Sequence, residues 1–372
     1  MAVTAVAMSY AIIAAVTVLL WRHKHARRIG AGTDFATPEV TVLKPLCGAE
    51  PQLYESLRSF CDQTYSRFQI VFGVRDPDDP ALSVVRRLQR EFPQRELDIA
   101  IDATQHGSSL KVSNLVNMMR LARYDCLVVA DSDVRVPRDY LLGVVAPLAD
   151  SRVGIVTCAY RGLARGSAWS LLLAAFINDW FMPSVFVAAA FGSRAFAFGA
   201  TIALRRATLR GIGGFEAIAD QLADDYRLGE LTRKVGLRTV LSDVIVETCV
   251  AEASARELIR HELRWLRTIR AVRPAGYAAS FVTFDLPLAV IGYLIAGGSD
   301  AALAMLAITG AARLLLHFSV RKPGSALLQL WVLPLNDLLA FTLWCWGFVS
   351  RRVHWRQACY RVARDGSAQL IA

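Results

Sequence analysis

The chain has 372 residues, of which 54% are hydrophobic, and it carries a formal net charge of +10. Charged residues make up only 20% and the mean hydropathy is +0.36, so the composition excludes a disordered chain and disfavours a wholly soluble one. The positive balance is compatible with three classes of partner: nucleic acid, anionic membrane, or a small anionic substrate.

Residues 1–28 predict an N-terminal membrane anchor. The stretch Ala2–Trp21 contains no charged side chain, and about twenty apolar residues in a helix span the core of a bilayer. A basic cluster follows at residues 22–28. A cleavable signal peptide carries its charge before the apolar run, and positive charge beside a membrane stays in the cytosol. We therefore expect an uncleaved anchor followed by a cytosolic domain.

Residues 39–250 have the pattern of an α/β domain, because short apolar runs alternate with longer amphipathic stretches. The predicted strands are residues 40–43, 69–74, 97–101 and 126–130, and the predicted helices are residues 53–61, 82–92 and 110–122. This order predicts a mainly parallel sheet with helices on both faces. Ligands of such sheets bind at the carboxyl ends of the strands.

Residues 251–280 predict a basic amphipathic helix at the membrane surface. Arg256, Arg260, Arg264 and Arg267 would share one face of this helix. A row of guanidinium groups suits a diphosphate, which it can bind through paired hydrogen bonds. It suits anionic lipid headgroups equally well, and both interpretations stay open at this point.

Residues 281–350 predict a membrane region of two or three helices, and residues 351–372 a basic tail. The apolar runs are residues 281–296, 301–318 and 327–348. Three complete spans after the anchor would place the basic tail outside the cell, against the tendency of positive charge to stay inside. The first run is short and contains Asp285 and Pro287, so we predict that it is an incomplete span.

Two carboxylates follow the predicted strand 126–130 directly, at Asp131 and Asp133. Paired carboxylates at the end of a buried strand suit a hard cation such as Mg²⁺ or Mn²⁺, which takes its other ligands from phosphate and water. The alternative is a turn in which an Asp side chain bonds the backbone.

Two further acidic groups lie at predicted strand and helix ends. Asp76, Asp78 and Asp79 follow the second strand, where they could contact a nucleoside or cap the next helix. Asp224 and Asp225 stand where a helix is predicted to begin. A carboxylate there could take the proton of an attacking hydroxyl, or could simply stabilise the helix start.

Together these motifs resemble the ceramide glucosyltransferase family of GT-A glycosyltransferases, and especially its bacterial branch associated with hopanoid biosynthesis. The resemblance rests on the anchor, residues 42–46 (VLKPL), 76–81 (DPDDPA), 111–115 (KVSNL), 131–133 (DSD) and 223–226 (ADDY), the pair Arg264-Trp265, and residues 355–361 of the tail. It implies a GT-A nucleotide-diphospho-sugar transferase domain with N-terminal and C-terminal transmembrane helices.

The resemblance also implies roles for individual residues. The residues implied to bind the nucleotide-sugar are Asp79, Lys111, Lys44 and Asp131. Placement at the end of a strand favours Asp76 instead of Asp79, and both are kept. The residues implied to bind Mg²⁺ or Mn²⁺ are Asp131 and Asp133, and those implied to be catalytic are Asp225, Arg264, Trp265 and His261. Asp225 corresponds to the base of the family. His261 stands where the family motif (Gln/Arg)-x-x-Arg-Trp has Gln or Arg. Residues 178–183 also depart from the His-Pro pair of the animal enzymes, so we expect acceptor recognition to differ.

The implied activity is an inverting transfer of a hexose from UDP-glucose or UDP-N-acetylglucosamine to a lipid hydroxyl. Ceramide and a hopanoid polyol are the two candidate acceptors, and the implied location is the bacterial inner membrane with a cytosolic catalytic domain. The alternatives are a polysaccharide synthase-like transferase and an inactive lipid-binding scaffold. The retained Asp131, Asp133 and Asp225 disfavour the scaffold. A nucleic-acid partner is not expected, because the positive charge clusters beside apolar spans.

Overall fold

The computed structural model describes residues 2–28, 37–193, 196–321, 329–350, 352–355, 358–363 and 367–371. The helices are α1 (Ala2–Arg28), α2 (Leu53–Cys61), α3 (Ala81–Glu91), α4 (Leu110–Met118), α5 (Tyr140–Val145), α6 (Ala168–Ala175), α7 (Met182–Ala190), α8 (Arg206–Gly211), α9 (Asp224–Lys234), α10 (Ala255–Val272), α11 (Pro274–Ala279), α12 (Asp285–Ile295), α13 (Asp300–Val320) and α14 (Val332–Gly347). The strands are β1 (Val40–Pro45), β2 (Phe68–Val74), β3 (Glu96–Ile101), β4 (Cys126–Val129), β5 (Val134–Arg135), β6 (Val153–Ala164), β7 (Ile202–Arg205), β8 (Arg238–Val250), β9 (Arg352–Trp355), β10 (Ala358–Val362) and β11 (Ala368–Leu370).

The α/β fold predicted from the sequence is confirmed. Strands β1 to β8 form one sheet in the order β3-β2-β1-β4-β7-β6-β8-β5. All residues of β1, β2 and β4 are buried, because helices cover both faces, and this explains why β4 is apolar throughout and why β1 and β2 are mostly apolar. The chain runs outward from β1 to β3 and returns to β4 on the other side of β1. The carboxyl ends of β1 and β4 therefore form a switch point, where such sheets bind ligands.

The second half of the sheet mixes strand directions. Strand β7 is antiparallel to both β4 and β6, whereas β6 is parallel to β8. The predicted parallel arrangement thus holds for β1 to β4 and not for the whole sheet. The antiparallel strand β7 lies beside β4, so the loop that precedes β7 reaches the carboxyl end of β4.

Three helical segments are long and apolar enough to cross a membrane: Ala2–Trp21, Ala168–Ala190 and Asp300–Val320. The first and third confirm the predicted apolar N-terminal and C-terminal helices, which is the pattern of an integral membrane protein. The second was not predicted, and it contains a π-helical turn between α6 and α7. In the run 281–296, a sharp bend of 68° separates Pro274–Thr283 from Asp285–Ile295.

A buried ionic network joins these apolar helices. It consists of Asp179, Arg313, His317, Arg321 and Asp337. The Arg313 Nε of α13 lies 2.9 Å from Asp337 Oδ2 of α14, and its Nη1 donates to the Asp179 carbonyl at 2.5 Å. The Asp179 carboxylate of the π-helical turn accepts from Arg321 at 2.5 Å and lies 3.2 Å from His317 Nδ1. Charged residues in an apolar region are tolerated when they are paired in this way.

Strands β9 to β11 form a small antiparallel sheet within the basic tail. It contacts α10 and the loop before α9, because Arg267 Nη1 donates to the Arg352 carbonyl at 2.7 Å and Gln221 forms an isolated bridge with Ser367. Residues 356 and 357 of the tail motif, and residues 327 and 328 at the start of the third apolar run, lie outside the described residues.

Candidate active site

Lys44 and Asp131 meet at the switch point between β1 and β4. Leu43 pairs with Val129 in the parallel ladder, so the next residues of both strands lie side by side. The Lys44 ammonium is fully buried, donates to the Asp131 carbonyl and lies 3.9 Å from the Phe60 ring centroid. Burial lowers the pKa of Lys44 to about 7, against the opposing charges of Asp133 and Asp131. Lys44 therefore fixes the backbone of the Asp131 loop.

Asp133 is held by the edge of the sheet. Its Oδ2 accepts from Thr248 Oγ1 of β8 at 2.5 Å, and its carbonyl accepts from the Cys249 amide at 3.0 Å. Burial, and then the charge of Asp131, raise the pKa of Asp133 to about 6. Beside it, Ser132 donates to Glu50 at 2.6 Å. Glu50 and Thr248 were not predicted, because they come from distant parts of the sequence.

The carboxylates of Asp131 and Asp133 fit a hard divalent cation. Among the described residues, no group of three or more His, Cys, Asp or Glu side chains could hold a metal ion by itself. Two carboxylate groups are nevertheless the donors that Mg²⁺ or Mn²⁺ takes from a protein when substrate phosphate completes the coordination. The donor set is therefore suited to a metal that binds together with a nucleotide diphosphate.

Lys111 connects this pair to the start of α9. Its Nζ lies 2.8 Å from Asp131 Oδ1 and 3.1 Å from Asp224 Oδ2. Burial alone would lower the pKa of Lys111, but the carboxylates of Asp131, Asp224 and Asp225 together raise it. The ammonium consequently stays charged at neutral pH. Ser109 caps α4 by accepting from the Val112 amide, which fixes the turn that carries Lys111.

Asp225 lies in the first turn of α9, as predicted, with its carboxylate held by two backbone amides. Gly199 donates to Oδ2 at 2.9 Å and Tyr226 donates to Oδ1 at 2.7 Å. Burial, and then the charge of Asp224, raise the pKa of Asp225 to about 6. The carboxylate is thus ionised at neutral pH but is a stronger base than an ordinary Asp.

Gly199, in the loop before β7, lies at the centre of the site. A Cβ atom built there would stand 3.4 Å from an oxygen of Asp131, 3.4 Å from an oxygen of Asp225 and 3.5 Å from Lys111 Nζ. The predicted metal ligand and the predicted base therefore face the same point. An adjoining pocket of about 10 Å³ has room for about one water molecule. Its lining includes Lys111, Gly199, Phe215, Asp224 and Asp225.

Asp76 and Asp79 lie at the carboxyl end of β2, one strand away from this centre. Both Asp79 oxygens accept from the Gly48 amide at 3.0 Å, and Oδ1 also accepts from Ala81 at 2.8 Å. Asp76 is exposed and accepts from the Asp78 amide at 2.9 Å. Asp79 thus orders the loops after β1 and β2. The assignment of one of these residues to the nucleoside stays a prediction.

Helix α10 carries the Arg264-Trp265 pair. The guanidinium carbon of Arg264 lies 6.0 Å from the Trp265 ring centroid, and this ring stacks on Phe176 at 6.4 Å. His261 Nδ1 lies 2.8 Å from Glu252 Oε1. Burial lowers the pKa of His261 in spite of Glu252, so the imidazole is neutral at pH 7. It therefore carries no permanent charge where the family motif has Gln or Arg.

Tyr160 of β6 was not predicted as part of the site. Its ring contacts Phe181 at 4.7 Å and Phe198 at 6.4 Å between centroids. Burial, and then the charges of Asp225, Asp133 and Asp131, raise the pKa of its hydroxyl, with Arg264 opposing them. No local pattern identifies this residue, because its position depends on the long-range pairing of β6 with β7 and β8.

Comparison with known proteins assigns the chain to a family. The sequence profile described as Glycosyl transferase family 21 matches residues 3–368. The chain belongs to glycosyl transferase family 21. It is 24% identical over 246 residues to ceramide glucosyltransferase 1 of Caenorhabditis elegans, an alignment that covers 65% of this chain and 52% of the relative. This confirms the relationship with ceramide glucosyltransferases predicted from the motifs.

Other comparisons agree with this assignment. A ceramide glucosyltransferase of Candida albicans is 33% identical over 107 residues, which is 26% of this chain and 20% of that protein. The chain thus spans about half the length, or less, of these curated relatives. A mannosyltransferase of Pyrobaculum calidifontis, solved with GDP-Man and Mn²⁺, has a similar fold, with a TM-score of 0.51 and 23% identity over 93% of this chain and 96% of that one.

Proposed function

We propose that this family 21 member is a membrane-bound, inverting, metal-dependent transferase that moves a hexose from a UDP-sugar to a lipid hydroxyl. The observation that carries the proposal is the convergence of Asp131 and Asp225 on Gly199, with Lys111 between Asp131 and Asp224. A metal ligand and a base that face one point are what a single displacement at a sugar carbon requires.

The leaving diphosphate would be bound from two sides. Lys111 offers a permanent positive charge beside Asp131, and Arg264 offers a second one from α10. Mg²⁺ or Mn²⁺, held by Asp131 and Asp133, would neutralise the charge that develops on the diphosphate. Lys44, buried beneath the loop, keeps Asp131 in place. We assign the nucleoside to the loops after β1 and β2, where Asp76 and Asp79 lie.

Asp225 acts as the base in this proposal. As the acceptor oxygen forms its bond to the anomeric carbon, its proton passes to the Asp225 carboxylate. The bond between the anomeric carbon and the diphosphate oxygen breaks, and UDP leaves with the bonding electrons. One displacement inverts the configuration, so an α-linked donor gives a β-glycoside. The two amides that hold Asp225 aim its carboxylate before the substrate binds.

A lipid acceptor would approach from the side of α10 and the apolar helices. The Trp180 ring of the π-helical turn stacks on Phe284 at 5.3 Å, and Trp265 stacks on Phe176 at 6.4 Å. Aromatic side chains therefore fill the space between the catalytic domain and the C-terminal helices. The relatives named ceramide glucosyltransferase support a lipid acceptor. Ceramide and a hopanoid polyol remain the two proposed acceptors, with glucose or N-acetylglucosamine as the sugar.

We place the catalytic domain on the cytosolic side of a bacterial inner membrane, because the basic cluster at residues 22–28 follows the first apolar segment. Cys47 is exposed on the catalytic domain and offers a test. In a Cys345→Ser background, a membrane-impermeant maleimide should label Cys47 in inverted membrane vesicles and leave it unlabelled in intact spheroplasts. The reverse pattern would contradict the orientation.

The function itself is tested by a matrix of two donors and two acceptors. The purified protein in lipid vesicles receives UDP-glucose or UDP-N-acetylglucosamine with Mn²⁺, and the vesicles contain ceramide or a hopanoid polyol. Lipid products are identified by mass, and the anomeric configuration by NMR. We expect one combination to give a β-linked glycolipid. An α-linked product would contradict single displacement, and the absence of glycolipid in all four would contradict the lipid acceptors.

A further inference from the structure

Tyr160 occupies a boundary in the molecule that the proposed function does not use. The charges of Asp225, Asp133 and Asp131 act on its hydroxyl. Its ring contacts the Phe181 and Phe198 rings. The residue therefore combines an apolar contact with a hydroxyl that lies within the electrostatic influence of the site.

The aromatic triad, Tyr160, Phe181 and Phe198, forms that wall. Phe181 and Phe198 contact each other edge to face at 5.4 Å, and each contacts the ring of Tyr160. Phe198 directly precedes Gly199, whose amide holds Asp225. The ring contact with Phe198 therefore places Tyr160 next to the loop that holds the proposed base, an observation that is independent of charge.

The triad is continuous with the apolar helices. Phe181 follows Trp180 in the π-helical turn, and Trp180 stacks on Phe284 at the start of α12 and donates to Thr283 at 2.8 Å. The turn is anchored to β6 by Asn178, which exchanges hydrogen bonds of 2.9 and 3.0 Å with Gly162. A series of aromatic side chains therefore connects the start of α12 with Tyr160.

We propose that Tyr160 binds the attacking hydroxyl of the lipid acceptor and orients it between its own phenol group and the carboxylate of Asp225. This inference rests on the proposed function and specifies the acceptor side of that site. The phenol donates a hydrogen bond to the acceptor oxygen, while the proton of the acceptor hydroxyl points to Asp225. Tyr160 keeps its own proton throughout, and no bond to it forms or breaks.

The electrostatic setting agrees with this role. Burial and the three nearby carboxylates raise the pKa of the Tyr160 hydroxyl, so it stays protonated and can donate. Among the described residues, no hydrogen bond to this hydroxyl is found, which leaves it available to a substrate. The Phe181 and Phe198 rings would contact the apolar part of the acceptor next to its hydroxyl.

The test compares Tyr160→Phe with Tyr65→Phe in the acceptor and donor combination that the wild-type protein uses. Both substitutions remove one phenol oxygen and keep a ring. The Tyr65 hydroxyl donates to the Pro38 carbonyl, which precedes the amino end of β1, whereas the site lies at the carboxyl ends of β1 and β4. We expect Tyr160→Phe to lower kcat/KM for the lipid acceptor about tenfold, because one hydrogen bond to the acceptor is lost. The KM for the UDP-sugar and the affinity for UDP in the presence of Mn²⁺ should stay unchanged, and Tyr65→Phe should behave like wild type.

The possible outcomes separate the inference from the function. Unchanged acceptor kinetics in Tyr160→Phe, while wild type transfers sugar, would overturn the role of Tyr160 and leave the function standing. A loss of UDP affinity as large as the loss of transfer would also overturn it, because Tyr160 would then act on the donor or on folding. A wild-type protein that forms no glycolipid would contradict the proposed function itself.

Discussion

The ammonium of Lys111 lies 2.8 Å from Asp131 Oδ1, and its second contact, at 3.1 Å, is with Asp224 Oδ2. One side chain of α4 thus connects the carboxylate proposed to bind metal with the helix that carries the proposed base. Three carboxylates can lie close together here only because this cation compensates for their charge. A change of charge at Lys111, Asp131 or Asp224 therefore alters the electrostatic environment of the other groups in the site.

Removal of this cation should weaken donor binding. In Lys111→Met, Asp131 and Asp224 lose their common partner and the diphosphate loses a positive charge. We expect KM for the UDP-sugar to rise at least about tenfold, since a charged hydrogen bond contributes about 1.5–3 kcal/mol. The control is Lys234→Met at the other end of α9, because Lys234 is exposed and pairs only with Glu230 in the described residues. Equal donor KM values in both variants would contradict this role of Lys111.

The pH profile should show the raised pKa of Asp225. The carboxylate must be ionised to accept a proton, and its pKa is about 6 because of burial and the charge of Asp224. Activity measured as kcat/KM should therefore fall below about pH 6, not below pH 4 as for an ordinary Asp.

Two substitutions should shift the acid limb of the pH profile, the range in which activity falls with falling pH, in opposite directions. Asp224→Asn removes a negative neighbour, so the pKa of Asp225 should fall and the limb should move to lower pH. Lys111→Met removes a positive neighbour, so the limb should move to higher pH. An acid limb that stays in place in both variants would show that another group limits the rate.

Metal removal should abolish transfer. Excess EDTA leaves the diphosphate charge uncompensated, and added Mn²⁺ or Mg²⁺ should restore the rate. Asp133→Asn should raise the Mn²⁺ concentration needed for half-maximal activity, because one of the two carboxylate ligands is lost. The matched control is Asp98→Asn on β3, whose carboxylate is bonded to Gln69 and Arg123 far from the switch point. Full activity of wild type in EDTA would contradict the metal role.

The ionic network between the apolar helices should contribute to stability. Arg313→Met leaves the buried Asp337 carboxylate without its guanidinium partner, a change that typically costs about 3–5 kcal/mol. Arg152→Met, which breaks an exposed pair with Asp150, should leave the free energy of unfolding nearly unchanged. Thermal unfolding in detergent measures both. A similar melting temperature for the two variants would show that the network does not hold α13 and α14 together.

The parallel half of the sheet could be predicted from the sequence because its central strands β1, β2 and β4 are predominantly apolar runs. Burial on both faces requires such runs, so residues 40–43, 69–74 and 126–130 identify β1, β2 and β4 directly. The helix start at Asp224 could likewise be predicted, since acidic residues stabilise the first turn of a helix. The position of Asp131 and Asp133 at the end of β4 could be predicted in the same way, because both residues directly follow an apolar run in the sequence.

The other parts of the fold and of the site depend on contacts between residues that are distant in the sequence. The antiparallel insertion of β7, which brings Gly199 to Asp225, has no local pattern in the sequence. The helical segment Ala168–Ala190 was not predicted, and its π-helical turn depends on bonds to β6 and α13. The Lys111–Asp224 contact was missed for the same reason, because 113 positions in the sequence separate two residues that lie 3.1 Å apart.

The measurement that tests the central claim most directly is glycolipid formation by Asp225→Asn beside wild type, with UDP affinity determined on the same samples. The amide keeps the size of the side chain but cannot accept the proton. The account predicts a rate lower by about 10²–10⁴-fold with UDP affinity in Mn²⁺ nearly unchanged. A variant that keeps more than about a tenth of the wild-type rate would contradict Asp225 as the base.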